Sequence, residues 1–128
     1  MIIGVGVDII EVARIRASLE NPRTGERFRT RVFTPDEVAY CVRRRNGHES
    51  FAARFAAKEA MMKALGGAFG WREIEVVRTI GPPSIRLHGR ARTRADRLGI
   101  RSVSLSLSHT EAMAIAYVIA EGDAAATE

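Results

Sequence analysis

Between Phe51 and Gly66 the chain reads Phe-Ala-Ala-Arg-Phe-Ala-Ala-Lys-Glu-Ala-Met-Met-Lys-Ala-Leu-Gly, and any fold has to be arranged around this one helix. Phe51, Phe55, Glu59 and Lys63 recur every four residues, so two aromatics, a carboxylate and an ammonium form one stripe. Arg54, Lys58 and Met62 run beside it. Twenty basic residues include only two lysines, and both fall here. That placement suggests a need for a compact ammonium rather than a forked guanidinium. The plainer alternative is a solvated Glu59–Lys63 pair at i,i+4, worth about 0.3–0.5 kcal/mol.

A second feature weighs against the plain reading. The chain opens Met-Ile-Ile-Gly-Val-Gly-Val-Asp-Ile-Ile, an apolar run of buried-strand type with one charge, Asp8. A carboxylate there needs a partner, a cation or a cleft. One carboxylate from a strand and one from a helix, with a lysine a turn further on, make a plausible site for magnesium and a phosphate-bearing substrate.

At 128 residues the chain is expected to form a single domain over 1–122, with 123–128 a frayed tail. No apolar run has the length of a membrane span, and the opening run lacks the flanks of a signal peptide. The single cysteine, Cys41, reads as a small apolar residue on a helix face, and cytoplasmic residence is expected. A net charge of +5 and a pI near 10.3 point to anionic partners. Nucleic acid is one candidate, yet aromatics are only 6% and do not interleave with the basic residues, and an acidic protein or a phosphate-rich small molecule suits the pattern as well.

Val12, Ile15 and Leu19 predict a short amphipathic helix over Glu11–Leu19 with Arg14 and Ser18 outward, closed by Asn21-Pro22. Gly25–Phe33 predicts another short basic helix. Thr34-Pro-Asp-Glu is a capping box and starts a third, expected to run to Asn46-Gly47 with Arg43, Arg44 and Arg45 in its last turn. Ser50 is read as N-cap of the central helix, and Gly66-Gly67 as its stop. Ile74, Val76, Ile85 and Leu87 alternate with polar residues around Gly81-Pro82-Pro83, predicting a strand pair, and His88 reads as a solvent-face residue. Gly89–Leu98 predicts a helix with Ala91, Ala95 and Leu98 inward and Arg90, Arg94 and Arg97 in solvent. Val103, Leu105 and Leu107 alternate with serines up to Ser108-His109; Met113–Ala120, apolar on both faces, predicts a buried central strand antiparallel to it.

These motifs, namely Gly6-Val-Asp-Ile, Phe33-Thr-Pro-Asp-Glu, Arg54-Phe-Ala-Ala-Lys-Glu-Ala, Lys63-Ala-Leu-Gly, Gly81–Pro83 and Leu105-Ser-Leu-Ser-His-Thr, resemble in order and spacing those of the 4'-phosphopantetheinyl transferases, specifically the short bacterial holo-acyl-carrier-protein synthase type. The resemblance runs from Ile2 to about Ile119. It implies an α+β fold, a mostly antiparallel sheet packed against a long central helix. The implied reaction is transfer of 4'-phosphopantetheine from coenzyme A to a serine of apo acyl carrier protein, releasing adenosine 3',5'-bisphosphate, dependent on Mg2+ and serving fatty acid biosynthesis. By the same resemblance Asp8 and Glu59 hold the metal and are catalytic together with Lys63. Arg45, Arg54, Lys63, Gly66, Pro83, Ser108 and His109 contact coenzyme A, the choice among Arg43, Arg44 and Arg45 for its 3'-phosphate remaining open. Arg14 meets the acidic carrier, with Arg16 and Arg23 weaker candidates, and the chain forms a homotrimer with sites between subunits. Either Glu59 or a metal-bound water takes the serine proton. Two departures stand out: Met62 where relatives often carry serine, and Gly67-Ala68 in place of a glycine-threonine-glycine exit. The rival readings are a basic nucleic-acid-binding module and a non-catalytic scaffold for an acidic protein.

Overall fold

The computed structural model describes residues 1–78 and 80–123, and the tail expected to fray lies outside them except for Asp123, which pairs with Arg101 at 2.6 Å. Strand β1 (Ile2–Glu11) is followed by helices α1 (Val12–Glu20), α2 (Gly25–Val32), α3 (Pro35–Val42) and α4 (Gly47–Leu65). A 3-10 turn (Trp71–Glu73) leads into the strands β2 (Ile74–Val77) and β3 (Ser84–Leu87), then come α5 (Gly89–Leu98), β4 (Ile100–His109) and β5 (Met113–Gly122). β5 lies between β1 and β4, antiparallel to both, while β2 and β3 form a separate antiparallel pair. The expected architecture, an antiparallel sheet against a long helix, is the observed one.

α4 lies on one face of the three-stranded sheet, and the reason is steric. Gly4 and Gly6 of β1 face it, and a Cβ on Gly6 would stand 1.7 Å from the Ala60 carbonyl oxygen, one on Gly4 2.2 Å from that of Ala64. Ala57, Ala60 and Ala64 on the helix and Ala114, Ala116, Val118 and Ala120 on β5 complete a seam of small buried side chains. Small residues on both sides let helix and sheet backbones approach closely. The aromatic stripe packs away from this seam: Phe51 meets Phe33 at 4.9 Å between centroids, and Phe55 stacks on Trp71 at 4.8 Å.

Several local expectations change. α3 starts at the capping box as expected, with Glu37 N–H donating to Thr34 Oγ1 and Thr34 N–H to Glu37 Oε1. It ends at Val42, so Arg43, Arg44 and Arg45 lie beyond it, in the turn to α4. That turn is tight: Arg44 N–H donates to Cys41 O, and a Cβ on Gly47 would be 3.0 Å from the same oxygen. Consequently α4 begins at Gly47, one turn early, and Ser50 is buried inside it rather than capping it. β5 is central, yet only one of its faces is buried; Ile115 and Tyr117 lie on the open face. Arg94 is no solvent spectator, since its Nε donates to Leu65 O at the C-terminus of α4 at 3.0 Å. Cys41 is fully buried and its thiol is pushed up to about 12, chiefly by that burial, so it is a packing residue.

Candidate active site

The pleat of β1 places Asp8 on the same face as Gly4 and Gly6, two residues beyond the close approach, where the flank of α4 is reached. Lys63 extends from the last turn of α4 to donate to Val7 O at 2.8 Å and Asp8 Oδ1 at 3.3 Å. Asp8 is 13% exposed and Lys63 55%, so the pair sits at the rim of the sheet–helix seam. The simple i,i+4 reading is therefore displaced: among the described residues the ion-pair partner of Lys63 is Asp8, not Glu59. Glu59 lies next to them. Its carboxyl is pushed up, first by burial and then by the Asp8 charge, with Lys63 and Arg14 pulling it down. Strand, helix and α1 thus bring Asp8, Glu59, Lys63 and Arg14 into one electrostatic cluster.

Two acidic oxygen donors repelling each other at a partly open rim suit a hard divalent cation. Among the described residues no set of three or more His, Cys, Asp or Glu side chains converges. At this rim the chain offers two carboxylates, Asp8 and Glu59.

Other expected site residues fall outside this cluster. Gly66 is near it, closing α4 in the left-handed conformation (φ 77°), with its N–H shared by Met62 O and Lys63 O. His109 lies at the other end of α4, its Nδ1 2.7 Å from Glu49 Oε1. Glu49 and Lys63 are about 21 Å apart along the helix at 1.5 Å per residue. Ser108 lies opposite Ile115, on the open face of the sheet. Arg54 points away from Lys63 into the protein, Arg45 is exposed in the α3–α4 turn, and Pro83 is in the connection between β2 and β3. Within one chain these residues do not converge on the rim formed by Asp8, Glu59 and Lys63.

Lys58 was not among the sequence candidates. It is fully buried, as is its partner Glu37, at 2.8 Å; the ammonium also donates to Ile74 O at 2.6 Å and Trp71 O at 3.1 Å. Glu37 in turn accepts from Val76 N–H and caps α3. Desolvation lowers the Lys58 pKa against the pull of Glu37. The signal available in the sequence was the capping glutamate itself, but nothing local shows that its free oxygens face a lysine.

A close-packed α+β unit in which a long helix covers one face of an antiparallel sheet, with a strand aspartate, a helix glutamate and a lysine at one rim, defines the class of scaffold. Residues 4–118 match the model of the 4'-phosphopantetheinyl transferase superfamily. A holo-[acyl-carrier-protein] synthase of Solibacter usitatus is 47% identical over 127 residues, covering 94% of this chain and 99% of that protein, and one of Koribacter versatilis is 49% identical over 126 residues. Among solved structures, the holo-[acyl-carrier-protein] synthase of Neisseria meningitidis superposes with a TM-score of 0.82 at 32% identity, covering 94% of this chain and 99% of that one. The Helicobacter pylori synthase in complex with coenzyme A gives 0.78 at 31% identity, covering 91% and 99%. The chain belongs to the 4'-phosphopantetheinyl transferase superfamily.

Proposed function

We propose that this chain is a holo-[acyl-carrier-protein] synthase, moving 4'-phosphopantetheine from coenzyme A to a serine of an apo acyl carrier protein and releasing adenosine 3',5'-bisphosphate. The observation that carries the reading is the convergence of Asp8, Glu59 and Lys63, from two different elements, at one open rim. Asp8 and Glu59 would hold a Mg2+ ion, which neutralises diphosphate charge when bound. Lys63 places an ammonium where negative charge grows on the departing phosphate. Glu59, its carboxyl raised by burial and by Asp8, is suited to take the serine proton. The seam of glycine and alanine fixes these groups relative to one another, so the chain's main contribution is positioning.

The carrier is acidic in this reading, and Arg14 on α1 is exposed next to the cluster. The groove between α1 and α2 continues the positive surface with Arg27 and Arg31 and offers the half-buried Phe28 as an apolar contact. The assembly is a homotrimer. Two features support it: the separation of His109 and Arg54 from Lys63 within one chain, and the uncovered sheet face, where Val5, Val7, Ile9, Ile115 and Tyr117 are 38% to 61% exposed. Cytoplasmic residence and a role in fatty acid biosynthesis complete the reading.

The test is intact mass spectrometry of apo acyl carrier protein incubated with the chain, coenzyme A and Mg2+. A phosphopantetheine mass gain is expected, lost without the metal and lost with Asp8→Asn. No gain across several carrier proteins would overturn the assignment.

A further inference from the structure

Helix α4 stops within a turn of Lys63, so the way it stops governs where that ammonium stands. The last carbonyls of a helix have no partner inside it and must find one elsewhere. Met62 O accepts from Gly66 N–H and Gly67 N–H, and Lys63 O accepts from Gly66 N–H, the bonds of a left-handed glycine stop. Ala64 O lies against Gly4 of β1. Leu65 O is left, and its partner comes from another element: Arg94 of α5, whose Nε donates to it at 3.0 Å. Among the described residues no other side chain donates to this end of α4.

Arg90 and Arg94 stand one turn apart on α5, and the face they share lies over the exit of α4. The Arg90 guanidinium carbon is 5.9 Å from the centre of the Phe69 ring, and its Nε is 4.0 Å from Glu73 Oε2. Arg94 Nη2 would be 3.7 Å from a Cβ on Gly66. Arg90 and Arg92 have carboxylate partners, whereas Arg94 has none among the described residues and spends its Nε on a backbone carbonyl. A cation at that end of a helix is also favoured by the dipole. α5 is itself well held, with Ala91 and Ala95 buried and Ala91 N–H bonded to Glu73 Oε1 at 2.9 Å. The end of α4 is thus gripped from two sides. β1 holds it through the close approach at Gly4 and through the bond from Lys63 to Val7 O, and α5 holds it through Arg94. The exit between these grips has little packing of its own, since Gly66, Gly67 and Ala68 are all exposed. Two glycines in succession leave the backbone there free to unwind unless something ties it.

We propose that Arg94 is a positioning residue for the transfer: by holding Leu65 O it keeps the last turn of α4 wound and so fixes Lys63 against Asp8. The inference rests on the transferase reading and adds to it a residue of α5, an element that contributes nothing to the cluster at the rim. Arg94 acts through the helix end and not by contact with the substrate. Without it the last turn opens more often, and Lys63 spends less time where charge grows on the departing phosphate.

Amide hydrogen exchange and steady-state transfer, both on the full chain, test it together. Arg94→Met is expected to speed exchange at Gly66 and Gly67, whose N–H groups close the stop, about tenfold, while the amides of β5 exchange as in wild type. In the transfer assay kcat is expected to fall about tenfold, with KM for coenzyme A changed less than about twofold. Arg94→Lys keeps a donor for the carbonyl and is expected to recover part of both effects. Arg97→Met, on the same helix, is expected to match wild type in both. Unchanged exchange at Gly66 and Gly67 in Arg94→Met would overturn the proposal. Faster exchange throughout β5 would overturn it too, since Arg94 would then support the whole fold and not the exit. A raised KM with kcat intact would overturn it by making Arg94 a substrate contact. A wild-type chain that transfers nothing would remove the transferase reading, and the exchange rates would still decide whether Arg94 holds the end of α4.

Discussion

The two lysines of this chain stand five positions apart on one helix, and each pairs with a carboxylate, yet the pairs do opposite work. Lys58 and Glu37 are sealed from water, with the ammonium spending all three donors on Glu37 and two carbonyls. Lys63 and Asp8 lie at an open rim, 3.3 Å apart, with the lysine more than half exposed. A sealed pair with every donor used cannot respond to a substrate, so it fixes geometry. An open pair in mixed solvent contributes little to stability and keeps capacity for an incoming anion. The same residue type on the same helix becomes a sealed rivet or a solvent-accessible ammonium according to which face it occupies.

The comparison breaks most sharply at Lys58. Lys58→Met leaves Glu37 buried and uncompensated, and chemical denaturation should register a loss of about 3–5 kcal/mol. Adding Glu37→Gln should restore part of it, because the stranded charge is gone; an equal or larger loss in the double variant would contradict the assignment of the cost to that charge. At the other pair the effect moves from stability to rate. Lys63→Met should lower turnover by about 100-fold, near 2.7 kcal/mol, while its denaturation midpoint stays within about 1 kcal/mol of wild type.

Gly6→Ala probes what connects the two pairs. Its Cβ would stand 1.7 Å from the Ala60 carbonyl, so α4 must shift off β1. A loss of about 1–3 kcal/mol is expected on unfolding, with reduced turnover because Glu59 and Lys63 move relative to Asp8. Wild-type turnover in this variant would show that the glycine seam does not set the site.

The smallest effect concerns Glu73, which accepts from Ala91 N–H at the start of α5 and from Gly70 N–H. Those bonds, the Ala91 one foremost, hold its carboxyl below the usual glutamate range. A depressed folded-state pKa gives stability that is present above the unfolded value, near 4.5, and is lost as the pH falls through the lower folded value. Glu73→Ala should cost about 1 kcal/mol at neutral pH, and the difference from wild type should shrink under acid. A thermal-melt series over pH would read it, and a constant difference would speak against the cap.

By itself the sequence determined the central helix, the capping box at Thr34 and Glu37, the glycine stop at Gly66, the alternation of the strands and the unusual charge at Asp8. These are local: they depend on periods, on caps and on the cost of one carboxylate in an apolar run. Asp8, Glu59 and Lys63 were legible for the same reason, since each breaks or extends a visible pattern. Only the tertiary structure decided that Lys63 pairs across to Asp8 rather than back to Glu59, and that Lys58 is buried against Glu37. It alone showed that Gly4 and Gly6 admit the helix backbone, that one face of β5 is uncovered, and that Arg54 is buried against the Tyr40 ring. Each of these depends on which residues distant in the chain come within a few ångströms, and a pairing between distant residues leaves no period in the sequence to read.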